Sequence, residues 1–271
     1  MKEKNTRRIG LARALSKLGY CSRSRAAELI RAGQVRLNGC VCRDLETPTR
    51  IEHDKIVVDD LPLLPATKIY LMMNKPRGVV TTASDEKGRQ TVYDLLENLP
   101  SRLAKDGPSN ESRNWVAPVG RLDKASEGML LLTNDSEWGA RVAAPETHLE
   151  KTYHVQISVL ASDELLQDLL RGVSVGEGNQ RELMRARKAA LLRSGQKNCW
   201  LEIVLDEGKN RQIRRMLAAL GVEVLRLVRV AIGPLELGQL AKGASRPLTA
   251  DEKRSIDMSL RVAPAKVVAH G

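Results

Sequence analysis

Asp123 lies in residues 120–135, GRLDKASEGMLLLTND, where a charged loop opens into the apolar run 129–133. A run of that length and character suits an interior strand, which puts the carboxylate at a strand mouth. Gly120 and Gly128 bracket it and tolerate backbone conformations other residues avoid, so the loop can turn sharply and admit a ligand. An ionised carboxylate so presented can act as a nucleophile or stabilise positive charge developing on a substrate. Locally, the pattern also fits a turn former or the partner of a neighbouring Arg.

Two other stretches concentrate polar residues where apolar segments end: residues 74–78, NKPRG, and residues 207–215, EGKNRQIRR. The second places Lys209, Arg211, Arg214 and Arg215 around the start of a helix, whose positive dipole end adds to their charge. At helical spacing, one of these cations can meet an anion while another turns inward. Ser126 and Glu127 invite comparison with a hydrolase or a carboxylate pair, but the chain has no GxSxG and no nearby His. Cys21, Cys40, Cys42 and Cys199 include no CxxC pair, and His53, His148, His154 and His270 form no HxxxH or HxH pair. No metal or cofactor is expected.

The elements that must position these groups follow from periodicity and turn residues. Residues 61–68, LPLLPATK, read as a connector. Beyond it, strands are expected over 69–73, 79–82 (VVTT), 151–158, 222–232 and 234–237, with a strand pair at 185–192 and 199–205. Helices are expected over 91–99, 136–143, 162–170 and 210–220. Residues 100–114 read as a mobile surface loop and 263–271 as a disordered tail. Strands with interspersed helices and hairpin-like joins indicate an α+β fold with a mixed or antiparallel sheet, not a doubly wound parallel one.

Charge is concentrated at the beginning of the chain. Of a net +11 over 271 residues, residues 1–43 hold eleven Lys and Arg against Glu3 and Glu28, a surplus of +9. Such density attracts polyphosphate, so a nucleic acid leads over an acidic membrane surface as partner. Two short helices are expected in residues 8–32, separated at Gly19, with Ser22 capping the second and Gly33 closing it. An Asn38-Gly39 turn then joins QVRL to CVCR, and 55–59 supplies another strand. Arg13, Lys17, Arg23, Arg25, Arg31 and Arg36 are spread over these elements to meet phosphates. No apolar run approaches a membrane span, and the start lacks the apolar core of a secretion signal. A cytoplasmic monomer is the expectation.

The order helix, helix, NG hairpin, with SRSRAAELIRAGQVRLNG, resembles the small S4 RNA-binding module of a ribosomal protein. Behind it, NKPRG, GRLDKASEGMLLLTND, EKTYHVQI and EGKNRQIRRM, in this order, resemble the bacterial ribosomal RNA pseudouridine synthases, over residues 7 to about 255. The resemblance implies an RNA-binding module at 7–62 and a catalytic domain at 69–255 that detaches a uracil, rotates it and rejoins it through carbon 5, without a cofactor. Asp123 aligns with the family's essential aspartate. Arg214 matches the basic residue that pairs with that acid, holding it charged and oriented. Tyr153 matches the tyrosine that stacks on the extruded base. Arg121 would contact phosphate or prop the loop, and Lys75 and Pro76 would shape a pocket wall. A non-catalytic ribosome-assembly factor predicts RNA binding without isomerisation. A metal-dependent RNA hydrolase using Asp123 and Glu127 predicts chain cleavage instead.

Overall fold

A computed structural model of the chain describes residues 8–82, 85, 87–96, 115–176, 178 and 181–262. The chain forms two compact units. The first takes in the described residues of Met1–Leu71, Leu96–Val119 and Leu132–Ala140; the second takes in those of Met72–Leu95, Gly120–Leu131 and Arg141–Gly271.

In the first unit, helices α1 (Leu11–Lys17) and α2 (Arg23–Arg31) pack on a small sheet of Val35–Leu37, Cys40–Cys42, Ile56–Val58 and Leu61–Pro62. Ser22 caps α2 by accepting from the Arg25 N–H at 3.1 Å, which satisfies a donor that a helix start leaves unpaired. Asn38 and Gly39 take φ of 52° and 89°, the left-handed pair a type I′ hairpin requires, and Leu37 pairs with Cys40 across it. Leu11, Leu15, Leu29, Ile30, Val35 and Val58 are buried together. Burying each such side chain is favourable by roughly 1.5–3 kcal/mol, and this offsets the ordering of a module otherwise covered in like charge.

Most strands of the second unit belong to a nine-stranded sheet. Its main path runs Lys188–Ser194, Cys199–Leu205, Lys151–Ile157, Val224–Ile232, Glu127–Thr133, Tyr70–Lys75, Ser245–Pro247. The first four strands pair antiparallel, while Val224–Ile232 and Glu127–Thr133 pair parallel, so the sheet is mixed as expected. Helix α3 (Ser136–Ala143) forms where expected. Val155, Ile157, Leu201, Ile203 and Leu227 pack with Leu169 of helix α4 (Asp163–Arg171) and with Ile213, Met216 and Leu217 of helix α5 (Gln212–Ala219). The α5 stripe falls at the i, i+3, i+4 spacing of one helical face.

Some elements depart from expectation. Thr91–Leu96 forms a bridge and turns rather than a helix: the Thr91 N–H and hydroxyl both donate to Asp94 Oδ2, at 2.7 and 3.0 Å, closing a local turn. Residues 79–82 make only an isolated bridge, Val80 to Thr91. A hairpin of Val173–Val175 with Glu182–Met184 and a helix, α6 (Ala250–Val262), were not expected from periodicity. Residues 97–114, including the expected surface loop, and the tail 263–271 lie outside the described residues.

Candidate active site

Glu127–Thr133 is buried along its whole length, so the loop before it ends at a fixed strand. Gly128 makes that junction possible. Its φ is +102°, and in parallel register its Cα lies against Arg229, whose backbone oxygen and nitrogen occupy the space a Cβ would need.

Upstream of Gly128, five successive carbonyls are each held by a donor. Leu122 O accepts from Thr81 Oγ1 at 2.8 Å. Asp123 O accepts from the Ser126 N–H at 2.9 Å and from Lys75 Nζ at 3.2 Å. Lys124 O accepts from the Gly78 N–H at 2.8 Å, Ala125 O from Arg214 Nη2 at 3.0 Å, and Ser126 O from Lys75 Nζ at 2.9 Å. Two of the polar stretches found in the sequence thus grip the third. NKPRG supplies Lys75 and Gly78, and the α5 region supplies Arg214.

With its backbone held, the Asp123 side chain stays 34% exposed and faces Arg211, whose Nη1 lies 3.5 Å from Oδ2. Arg211 sits just ahead of α5 in a left-handed conformation, φ 49°, and its side chain makes no cap, which leaves the guanidinium for the acid. Arg211, expected to contact RNA, is therefore the ion-pair partner of Asp123. Arg214 was expected to be that partner. Its guanidinium is spent instead on two carbonyls, Ala125 O and Val224 O at 3.0 and 3.2 Å, because burial directs its donors to backbone acceptors. Burial, with Arg211 and Arg77 nearby, lowers its pKa, and only Asp123 acts in the other direction. The Arg214 Nε is buried without a partner.

Lys75 likewise differs from the expected pocket wall. It is 0% exposed, and its ammonium donates to Pro76 O, Asp123 O and Ser126 O, so it braces the loop from beneath. Burial pushes its pKa down to about 8 against the pull of Asp123 and Glu127. Pro76 is half-buried and Arg121 is exposed on the loop. Glu127, at 3% exposure, is no second acid for the site. Burial alone would raise its pKa, but hydrogen bonds from Arg226 (3.0 and 3.1 Å) and Lys242 (2.8 Å) prevail and hold it low. Both of its oxygens are engaged, which removes the carboxylate pair that a metal-dependent hydrolase reading needs.

Tyr153 lies on Lys151–Ile157, half-buried against the core, in register with Arg229. Arg229 is also in register with Gly128, so Tyr153 and Gly128 flank it in one cross-strand row. Arg229, unforeseen from sequence, is 6% exposed and donates to Met129 O at 2.8 Å. Lys151, also unforeseen, is pushed down to about 8 by burial, with Arg229 pressing the same way. Lys209 is bound to Glu207 and Glu182 at 2.9 and 3.3 Å, and Arg215 to Glu182 at 3.6 Å, so both are tied to the hairpin strand Glu182–Met184.

In the first unit, Arg13, Arg23 and Arg31 are exposed and have no carboxylate partner among the described residues. Lys17 pairs with Glu137, Arg25 with Glu28 and Arg36 with Asp60, at 2.7, 2.8 and 3.5 Å.

Residues 69–219 match the family model described as RNA pseudouridylate synthase, and residues 9–56 match the S4 domain. A Bacillus subtilis protein named ribosomal large subunit pseudouridine synthase B is 35% identical over 91% of this chain and 94% of its own length. An Aquifex aeolicus protein named as an uncharacterized RNA pseudouridine synthase is 34% identical over 90% and 92%. A crystal structure of a pseudouridylate synthase superposes with a TM-score of 0.60 at 28% identity, covering 92% of this chain and 99% of that one.

Proposed function

The chain belongs to the RNA pseudouridylate synthase family, and on that premise we propose that it isomerises a uridine of ribosomal RNA to pseudouridine with Asp123 as the catalytic carboxylate. The observation that carries this reading is the loop whose five successive carbonyls are pinned while the Asp123 side chain is left open beside Arg211. Catalytic groups need such restraint, because a reacting atom displaced by an ångström costs orders of magnitude in rate.

The reaction breaks the bond from ribose C1′ to uracil N1 and forms one from C1′ to C5. The C5 proton is lost and N1 gains one, so the product is an isomer and no redox partner is consumed. The Asp123 carboxylate faces the positive charge that develops on the ribose as the first bond breaks, and Arg211 orients it. Tyr153 stacks on the uracil, which must leave its helix to be reached. Arg121 contacts a phosphate beside it. Residues 7–62 hold the folded RNA and 69–255 carry out the chemistry, in a cytoplasmic monomer.

The test is incubation with unmodified ribosomal RNA and carbodiimide-dependent primer extension, with no metal or cofactor added. Pseudouridine at a discrete position is expected. Asp123→Asn is expected to make none while binding RNA nearly as well as the parent. Product from that variant would overturn the assignment, and tight binding without product from the parent would identify a non-catalytic assembly factor.

A further inference from the structure

The antiparallel part of the sheet has a second face. Tyr153, Val155 and Ile157 join the core cluster, so His154 and Gln156 point the other way, as do Trp200 next to the buried Cys199 and Leu201, and Arg226 next to the buried Leu227. On that outer face lies a cavity of about 490 Å³ lined by His154, Leu192, Arg193, Trp200, Arg226 and Val228. The register explains its make-up. Trp200 pairs with Arg193 on one side and Gln156 on the other, and Gln156 pairs with Arg226, so the four residues form one row across four strands. A bulge skips Leu192 between Leu191 and Arg193, which lets two consecutive residues of the edge strand line the same cavity.

Both arginines stack on the indole, with the Arg193 and Arg226 guanidinium carbons 4.8 and 5.4 Å from the ring centroid. Stacking holds a guanidinium by its face and leaves its N–H edges for an anion, a fork that matches phosphate oxygens. The acids nearby are already occupied: Glu127 holds Arg226 and Lys242, and Glu202 holds Lys188 at 2.7 Å with His154 at 3.8 Å. Arg193 has no carboxylate partner among the described residues. None of these groups belongs to the Asp123 site, although Arg226 touches Glu127 at its margin.

We propose that this cavity is a second RNA-binding site, taking one phosphodiester of a single-stranded segment on Arg193 and the free edge of Arg226, with its base against Trp200 and Leu192. Charge complementarity in a chain of net +11 selects RNA over an acidic-surfaced copy of this chain. The inference rests on the RNA-substrate reading above and extends it to the outer face of the same sheet.

The test measures binding of an unmodified ribosomal RNA transcript over a salt series, with single-turnover isomerisation at saturating RNA, for the full chain and for Arg193→Ala, Arg193→Lys and Trp200→Leu. Arg193→Ala should bind about fivefold to tenfold more weakly, with the log–log salt slope shallower by about 0.7. Arg193→Lys should keep the slope and recover part of the affinity, and Trp200→Leu should weaken binding by a similar factor. The saturating rate should not change in any of them. Unchanged affinity and slope in Arg193→Ala would overturn the site. So would a change confined to self-association in sedimentation, which would make the face a contact between copies. Failure of the full chain to make pseudouridine would instead overturn the function proposed above, and the binding curves would still decide this surface.

Discussion

At the scale of single residues, Lys75 decides whether the catalytic loop keeps its shape. A buried ammonium is costly, yet here all three of its protons find carbonyls, two of them on the loop. In the folded chain it releases its proton near pH 8, whereas unfolded it holds on to about 10.5. Between those values the unfolded chain binds more protons, so this group's contribution to stability rises with pH. Lys151, pushed to the same range, adds to that trend. Activity should move the other way, because a neutral amine has only two N–H donors for three acceptors. We expect kcat to fall above about pH 8 while thermal stability over the same window does not. Lys75→Met should lower kcat by about a hundredfold with little change in RNA affinity. A variant with the parent's kcat would show that the brace is dispensable. Arg211→Ala should likewise reduce kcat at constant RNA affinity, and more than Arg214→Lys does, since Arg211 is the residue that reaches the carboxylate. The resemblance pointed to Arg214, whereas the geometry brings Arg211 to the carboxylate. The choice depends on a left-handed residue at the helix start, which helical spacing cannot anticipate.

At the scale of elements, the strand Glu127–Thr133 and its entry define the site. Its apolar run was plain in the sequence, as were the capped α2, the Asn38-Gly39 hairpin and the α5 stripe, because each is specified by local chemistry. The parallel pairing that presses Gly128 onto Arg229 was not, because strands far apart in sequence leave no local trace of their register. Helix α6 was legible and missed. Thr249 and Glu252 form a reciprocal capping box, with bonds of 2.8 and 3.1 Å, at the sequence TADE. Over its described residues, 91–96, the helix expected at 91–99 gives way to a turn in which Thr91 donates twice to Asp94. Gly128→Ala tests the entry directly. It demands a left-handed conformation from alanine and forces Cβ into the Arg229 backbone, so stability should drop by about 2–4 kcal/mol. Urea unfolding measures this, and a loss below about 0.5 kcal/mol would mean that the parallel register relaxes easily.

At the scale of the whole molecule, electrostatics divides the labour. The first 43 residues carry a surplus of +9, but the structure separates cations that are spent from cations that are free. Lys17, Arg25 and Arg36 have carboxylate partners, whereas Arg13, Arg23 and Arg31 have none among the described residues. Exposed ion pairs are weak, so the paired set can still attract RNA at long range, but only the free set offers an unencumbered guanidinium to phosphate. If residues 7–62 hold the substrate, replacing Arg13, Arg23 and Arg31 together by Gln should flatten the salt dependence of RNA affinity by about 2 to 3 in log–log slope. KM should rise and kcat should stay within about twofold, since none of the three lies in the second unit, where Asp123 and Tyr153 reside. The measurement is RNA affinity from about 50 to 200 mM salt beside steady-state kinetics. A fall in kcat at unchanged slope would mean that the module shapes the catalytic unit and does not grip RNA.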